Sequence, residues 1–72
     1  MISFFDIKDI AKAGSDLTVS AEDFTALNLK EIAEEGKASG AKLHITHAKK
    51  LISDCVEIAM ANPGNVSFDF SE

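Results

Sequence analysis

A nine-residue phrase occurs three times in this chain, and that repetition restricts the fold more than any single motif. It reads DIKDIAKAG at 6–14, NLKEIAEEG at 28–36 and DCVEIAMAN at 54–62, with offsets of 22 and 26 residues. Repetition at such a period marks a stack of similar supersecondary units. Each copy opens on Asp or Asn and carries an acid three residues on: Asp6/Asp9, Asn28/Glu31, Asp54/Glu57. Such a pattern predicts a helix start, with a side-chain oxygen for unpaired N–H groups and negative charge in the first turn. Apolar residues follow at helical spacing: Ile7/Ile10/Ala11, Leu29/Ile32/Ala33 and Cys55/Ile58/Ala59. They form one stripe of an amphipathic helix. The copies close on Gly14, Gly36 and Asn62, residue types suited to a left-handed helix stop. The pattern predicts helices over about 6–13, 26–36 (fraying toward Ser39) and 53–61, each too short to stand without packing.

After each helix comes a segment of alternating character. Leu17, Leu43 and Val66 align, as do Val19, Ile45 and Phe68; between them fall Thr18, His44, Ser67 and then Ser20, Thr46, Asp69. Period-two alternation predicts strands at 17–21, 42–47 and 66–70 with one buried and one solvated face. Strands separated by helices run parallel, and right-handed crossovers put the helices on the same side of the sheet. Continuous apolar runs, the mark of a sheet covered on both faces, do not occur. The expected fold is therefore α/β: three αβ repeats giving a short parallel three-stranded sheet with helices on one face, a solenoid-like two-layer arrangement within a single domain, 1–72. Phe24 and Leu51 are expected to anchor the strand-to-helix loops in the core. Phe4 or Phe5 is expected to fold back over its open end.

A repeat unit of 22 to 26 residues with one strand and one helix has the length of a leucine-rich repeat, about 20–29 residues. Residues 43–51, Leu43-His-Ile-Thr-His-Ala48-Lys-Lys-Leu51, resemble the strand-and-turn half of that family. The similar variant has a small residue, often Cys, at the asparagine-ladder position and an apolar residue three later. Ala48 takes that position here and brings no hydrogen-bonding side chain to it. The resemblance implies binding of protein partners through the sheet face.

Composition narrows the partners further. Seven basic against twelve acidic residues leave a net charge of −5, without one arginine. Nucleic-acid binding needs clustered Lys and Arg, so no nucleic acid is expected. The pair Lys49-Lys50 is too small a patch to change this. Membrane insertion is not expected either, since no apolar run approaches the roughly 20 residues of a span. The opening Met-Ile-Ser-Phe-Phe-Asp lacks the basic region of a signal peptide, so the expected setting is cytoplasmic. One cysteine allows no internal disulfide.

The candidate binding residues are the polar rows of the sheet: Thr18, Ser20, His44, Thr46, Ser67 and Asp69. A bare parallel face tends to be occupied, although strand residues of these types also serve simply as a solvated surface. Ser67, His44 and Asp69 raise the thought of a catalytic triad. A flat face without a nucleophile elbow or an oxyanion loop is a poor place for acyl transfer, so no catalytic residue is assigned. His44 and His47, three apart on a strand, are expected on opposite faces, with His47 capping the core edge; no metal is assigned. Cys55 falls on the core stripe. Glu31, Glu34 and Glu35 read as a solvated helix face. No cofactor is called for.

These features point to a non-enzymatic module that binds a protein partner or itself, a homo-oligomer being favoured by the small core and the unpaired outer strands. Phe70 is the expected edge contact. The alternative is a small ligand-binding or enzymatic domain acting at the C-terminal ends of the strands, lined by Ser20, Ala21, His47 and Ala48.

Overall fold

The computed structural model describes residues 2–71. Along them run helix α1 (Phe4–Lys12), strand β1 (Leu17–Ser20), helix α2 (Ala26–Ser39), strand β2 (Leu43–Thr46), a 3-10 turn (Ala48–Leu51), helix α3 (Cys55–Met60) and strand β3 (Val66–Phe68). The strands make one parallel sheet in the order β1-β2-β3. Leu17, Leu43 and Val66 stand side by side; so do Thr18, His44, Ser67 and Val19, Ile45, Phe68. This is the register expected from the alternation, for a physical reason. A slip of one residue would turn Val19 and Ile45 to water and bring His44 into the core.

Ile7 and Ala11 of α1, Leu29, Ile32 and Ala33 of α2, and Ile58 of α3 close over Val19, Leu43 and Ile45 in one buried cluster. The three helices thus lie on one side of the sheet. Phe24 packs partly buried against the cluster, and Leu51 is buried within it. Phe4 packs there as a residue of α1, while Phe5 is 72% exposed, its ring meeting Phe4 edge-on with centroids 5.3 Å apart.

The second helix begins at Ala26 as expected, but the capping residues differ from expectation. Asp6 and Asn28 are not caps but residues of the first turn; the caps lie one turn earlier. Ser3 Oγ accepts a hydrogen bond from the Asp6 N–H at 3.2 Å, and Thr25 Oγ1 accepts from the Asn28 N–H at 3.1 Å. Both caps have extended backbone, which lets the side chain turn back on the helix. Asp54 does precede α3, but its backbone is already helical because the 3-10 turn leads into it, and its side chain caps nothing.

The helix stops divide the same way. Gly14 takes the left-handed conformation expected of it. Gly36 does not: α2 runs on for a further turn and stops at Gly40, with φ 88°. Gly36 is glycine for lack of room, since a Cβ there would lie 2.8 Å from the Ala41 carbonyl oxygen and 2.9 Å from Asn62 Nδ2. Asn62 is no helix stop either. It is 2% exposed, donates from Nδ2 to the Ala41 carbonyl at 2.9 Å, and accepts from Asn65 Nδ2 at 3.2 Å. A buried amide satisfied in this way ties the end of α3 to the start of β2. Ser39 Oγ, donating to the Ala11 carbonyl at 2.5 Å, ties α2 to α1. Asp16 Oδ1, accepting from the Lys42 N–H at 2.8 Å, ties β1 to β2. The expected ladder position, Ala48, contributes no such side-chain link.

Candidate functional site: the polar face of the sheet

The face away from the helices carries the candidate residues in two rows. In the first, Thr18 is exposed, and His44 Nδ1 lies 2.6 Å from Ser67 Oγ across the β2–β3 pair. That pair exists because the register sets His44 beside Ser67. In the second row, Thr46 Oγ1 donates to the Val19 carbonyl at 3.3 Å and also lies 3.2 Å from His47 Nδ1. Whether His47 Nδ1 donates or accepts in this contact depends on which ring nitrogen carries the proton. The same nitrogen lies 3.2 Å from Ser20 Oγ, which accepts from the Glu22 N–H as well.

His47 is where expectation and structure part. Its φ is 53° and ψ 37°, the left-handed conformation. This breaks the strand's alternation, so His47 does not cap the core edge as expected. It joins Ser20 and Thr46 on the polar side. Spacing alone could not foretell this, because an imidazole in a left-handed turn leaves no mark in the period of a strand.

Asp69 lies one residue past the end of β3 yet stays stitched to β2. Its N–H bonds to the Ile45 carbonyl at 2.8 Å, and its carbonyl accepts from the Ala48 N–H at 3.0 Å. Its carboxylate accepts from the Ser71 hydroxyl at 2.6 Å and the Ser71 N–H at 2.9 Å. These two bonds, the hydroxyl first, hold the Asp69 carboxyl below its usual range, with smaller contributions from positive charge on His44 and His47. Both imidazoles and the carboxylate thus share one electrostatic neighbourhood. Ser71 was not foreseen; the only trace of it in the sequence is the Asp-x-Ser spacing that permits a local turn.

The arrangement is not that of a triad. Ser67 and His44 meet, but the Asp69 bonds go to Ser71 and not to the imidazole. Among the described residues, no group of three or more His, Cys, Asp or Glu side chains is disposed to hold a metal ion. At the C-terminal ends of the strands, an open depression of about 410 Å³ is lined by Glu22, His47, Lys49, Lys50 and Ser71. Of the four residues expected to line a rim there, His47 does so. Ser20 touches His47, while Ala21 and Ala48 are fully buried.

Away from this face, the Cys55 thiol is buried, donates to the Leu51 carbonyl at 3.3 Å, and is pushed above its usual range by burial and by Asp54. Lys30 and Glu57 form an exposed ion pair at 2.6 Å that links α2 and α3; their hydrogen bond raises the lysine and lowers the glutamate.

The chain matches no protein-family model, no curated protein and no solved structure. No helix among the described residues is long and apolar enough to cross a membrane. What similarity leaves unassigned, geometry can bound: the chain is a mixed α/β fold of three helices on a three-stranded parallel sheet.

Proposed function

We propose that the chain is a non-enzymatic repeat module, leucine-rich-repeat-like in plan, that binds a protein partner through the polar face of its sheet. The observation that carries this reading is the open parallel face itself. It presents Thr18, Ser20, His44, Thr46, Ser67 and Asp69 in two rows, with no helix or strand over them among the described residues. Side chains already tied to one another, as His44 is to Ser67 and Asp69 to Ser71, lose little further freedom on binding. Such preorganisation strengthens association without adding contact area. The sequential strand order and the common register of the three αβ units support the solenoid-like plan. A cytoplasmic setting goes with this reading, since a lone buried thiol needs no oxidising compartment.

The test is capture from cell extract by the wild-type chain and by His44→Ala/Asp69→Ala, with Val56→Ala on the helix layer as control. Proteins held by wild type and control and lost by the double variant support the face. Equal capture by all three chains, with circular dichroism unchanged, overturns it.

A second reading has its own observation. The left-handed His47 turn, with Lys49 and Lys50 behind it, shapes the depression at the strand ends, where open α/β sheets take small ligands. A compound bound there would raise the melting temperature of wild type and not of His47→Ala.

A further inference from the structure

We propose that copies of this chain associate head to tail, the β3 and α3 end of one copy docking on the α1 and β1 end of the next, so that one parallel sheet continues through both. This rests on the repeat reading above but not on the polar face, which it leaves free.

The three copies of the repeated phrase are alike in sequence and unlike in burial, and the differences fall at the two ends. Ile10, Ile32 and Ile58 occupy one position of the phrase. Ile32 and Ile58, each with a helix before it in the stack, are 1% exposed; Ile10, with none, is 40% exposed. Ala11, Ala33 and Ala59 occupy the next position. Ala11 and Ala33, each followed by a helix, are buried, while Ala59 is only half-buried. In the sheet, Leu43 and Ile45 of the middle strand are sealed, while Val66 and Phe68 of β3 are not. The surface that unit two turns toward unit three is thus offered again by unit three. The surface that unit two turns toward unit one is offered again by unit one.

The backbone points the same way. β1 and β3 are each paired on one edge only. Carrying the register on by one strand sets Val66 beside Leu17, Ser67 beside Thr18 and Phe68 beside Val19 of the next copy, repeating the pairings inside the molecule. The two ends also differ in relief. A groove of about 280 Å³ touches Thr18 and Ser20 from one face of β1 and Val19 from the other, so it lies at the strand's edge. β2 occupies the opposite edge, and the groove is therefore on the outer one. Its apolar wall is Ile2, Ile7, Val19 and Phe24. At the other end of the molecule Phe68 and Phe70 stack with ring centroids 5.9 Å apart, and Phe70 is 42% exposed beside the open strand. This aromatic pair is the knob for that groove.

A two-fold dimer does not meet these conditions. Two like edges brought together by a dyad either run antiparallel or put their helices on opposite sides of the joined sheet. Only a head-to-tail contact keeps both strand direction and helix side, and such contacts do not close unless the rotation between copies brings them into a ring. Each added copy lengthens both polar rows, giving a partner with repeated epitopes many points of attachment.

Sedimentation velocity from micromolar to millimolar chain concentration tests the proposal. The wild type is expected to grow in average mass past two copies, and more so in high salt, which screens the repulsion between chains of charge −5. Ile10→Lys disables one end and Phe70→Lys the other. Each alone should be monomeric, and an equimolar mixture should form a one-to-one dimer that grows no further. Ile2→Lys, in the groove, and Ala59→Lys, at the uncovered side of α3, replace either variant if circular dichroism finds it unfolded. A wild type monomeric throughout, or a closed dimer that either end-variant still forms alone, overturns head-to-tail association. His44→Ala, on the middle strand and away from both free edges, should assemble as the wild type does, so failure here and failure of face binding are read separately.

Discussion

Asp69 and His47 carry most of what is chemically particular about the polar face, and they differ in how far the sequence announces them. Alternation along β3 places Asp69 on the solvated side, where it is found. The dihedral of His47 has no such announcement: histidine enters the left-handed region more readily than most side chains, but nothing in its place at a strand end requires it to. Its company with Ser20 and Thr46 emerges only from that conformation. The Asp69 carboxylate, held low chiefly by Ser71, also makes a prediction about pH. A depressed folded-state pKa favours the native state above the ordinary carboxylate value, and the benefit disappears as pH falls through the lowered one. Ser71→Ala should therefore move the Asp69 titration, followed by NMR, toward the ordinary range. The same variant should soften the loss of thermal stability on acidification. An unmoved titration would mean the Ser71 hydroxyl does not bond to Asp69 in solution; the N–H bond survives the substitution.

Each helix was legible as an element, and so were the Gly14 stop and the start of α2 at Ala26, while the caps were not. The apolar stripes foretell which faces of α1, α2 and α3 are buried because 3.6-residue periodicity depends on many side chains at once. A cap depends on one, and Ser3, Asp6 and Asp9 all look suitable. The deciding fact is where extended backbone gives way to helix, which tertiary packing sets. Gly36 misled for a related reason: a glycine demanded by close approach to Ala41 and Asn62 looks, in sequence, like one demanded by a left-handed stop. The caps can be weighed by substitution. Ser3→Ala and Thr25→Ala should each cost about 1 kcal/mol in urea denaturation, because each leaves a helix N–H unsatisfied. Asp54→Ala should cost less than either through capping, as its side chain accepts no such bond.

At the scale of the molecule, layers and register followed from the sequence because burial on one face only and parallel pairing leave few arrangements; strand order did not, since a sequential and a rearranged parallel sheet bury the same stripes. The thin reserve expected of so short a chain has a concrete form in the structure. The fold measures 29 × 28 × 17 Å, and its deepest apolar residues come to little more than Leu29, Ile32, Ile45 and Ile58. A core of this size supplies roughly 3–5 kcal/mol of net stability. Removing a buried isoleucine side chain down to alanine typically costs about 2–5 kcal/mol. Ile45→Ala, at the centre of the middle strand, should therefore leave the isolated chain largely unfolded by circular dichroism at room temperature. A cooperative melt retained near the wild-type temperature would mean the core is larger than its burial suggests.

The sequential parallel sheet also governs how the chain reaches this state. Leu17 meets Leu43 across 26 residues of chain and Leu43 meets Val66 across 23, so no pair of strands is joined by a tight turn. Nothing like a hairpin can nucleate locally, and every sheet contact waits on closure of a loop that contains a helix. The folding rate is then set by how readily α2 and α3 shorten those loops. Changes that strengthen the exposed sides of these helices should quicken folding, even though they lie far from any strand.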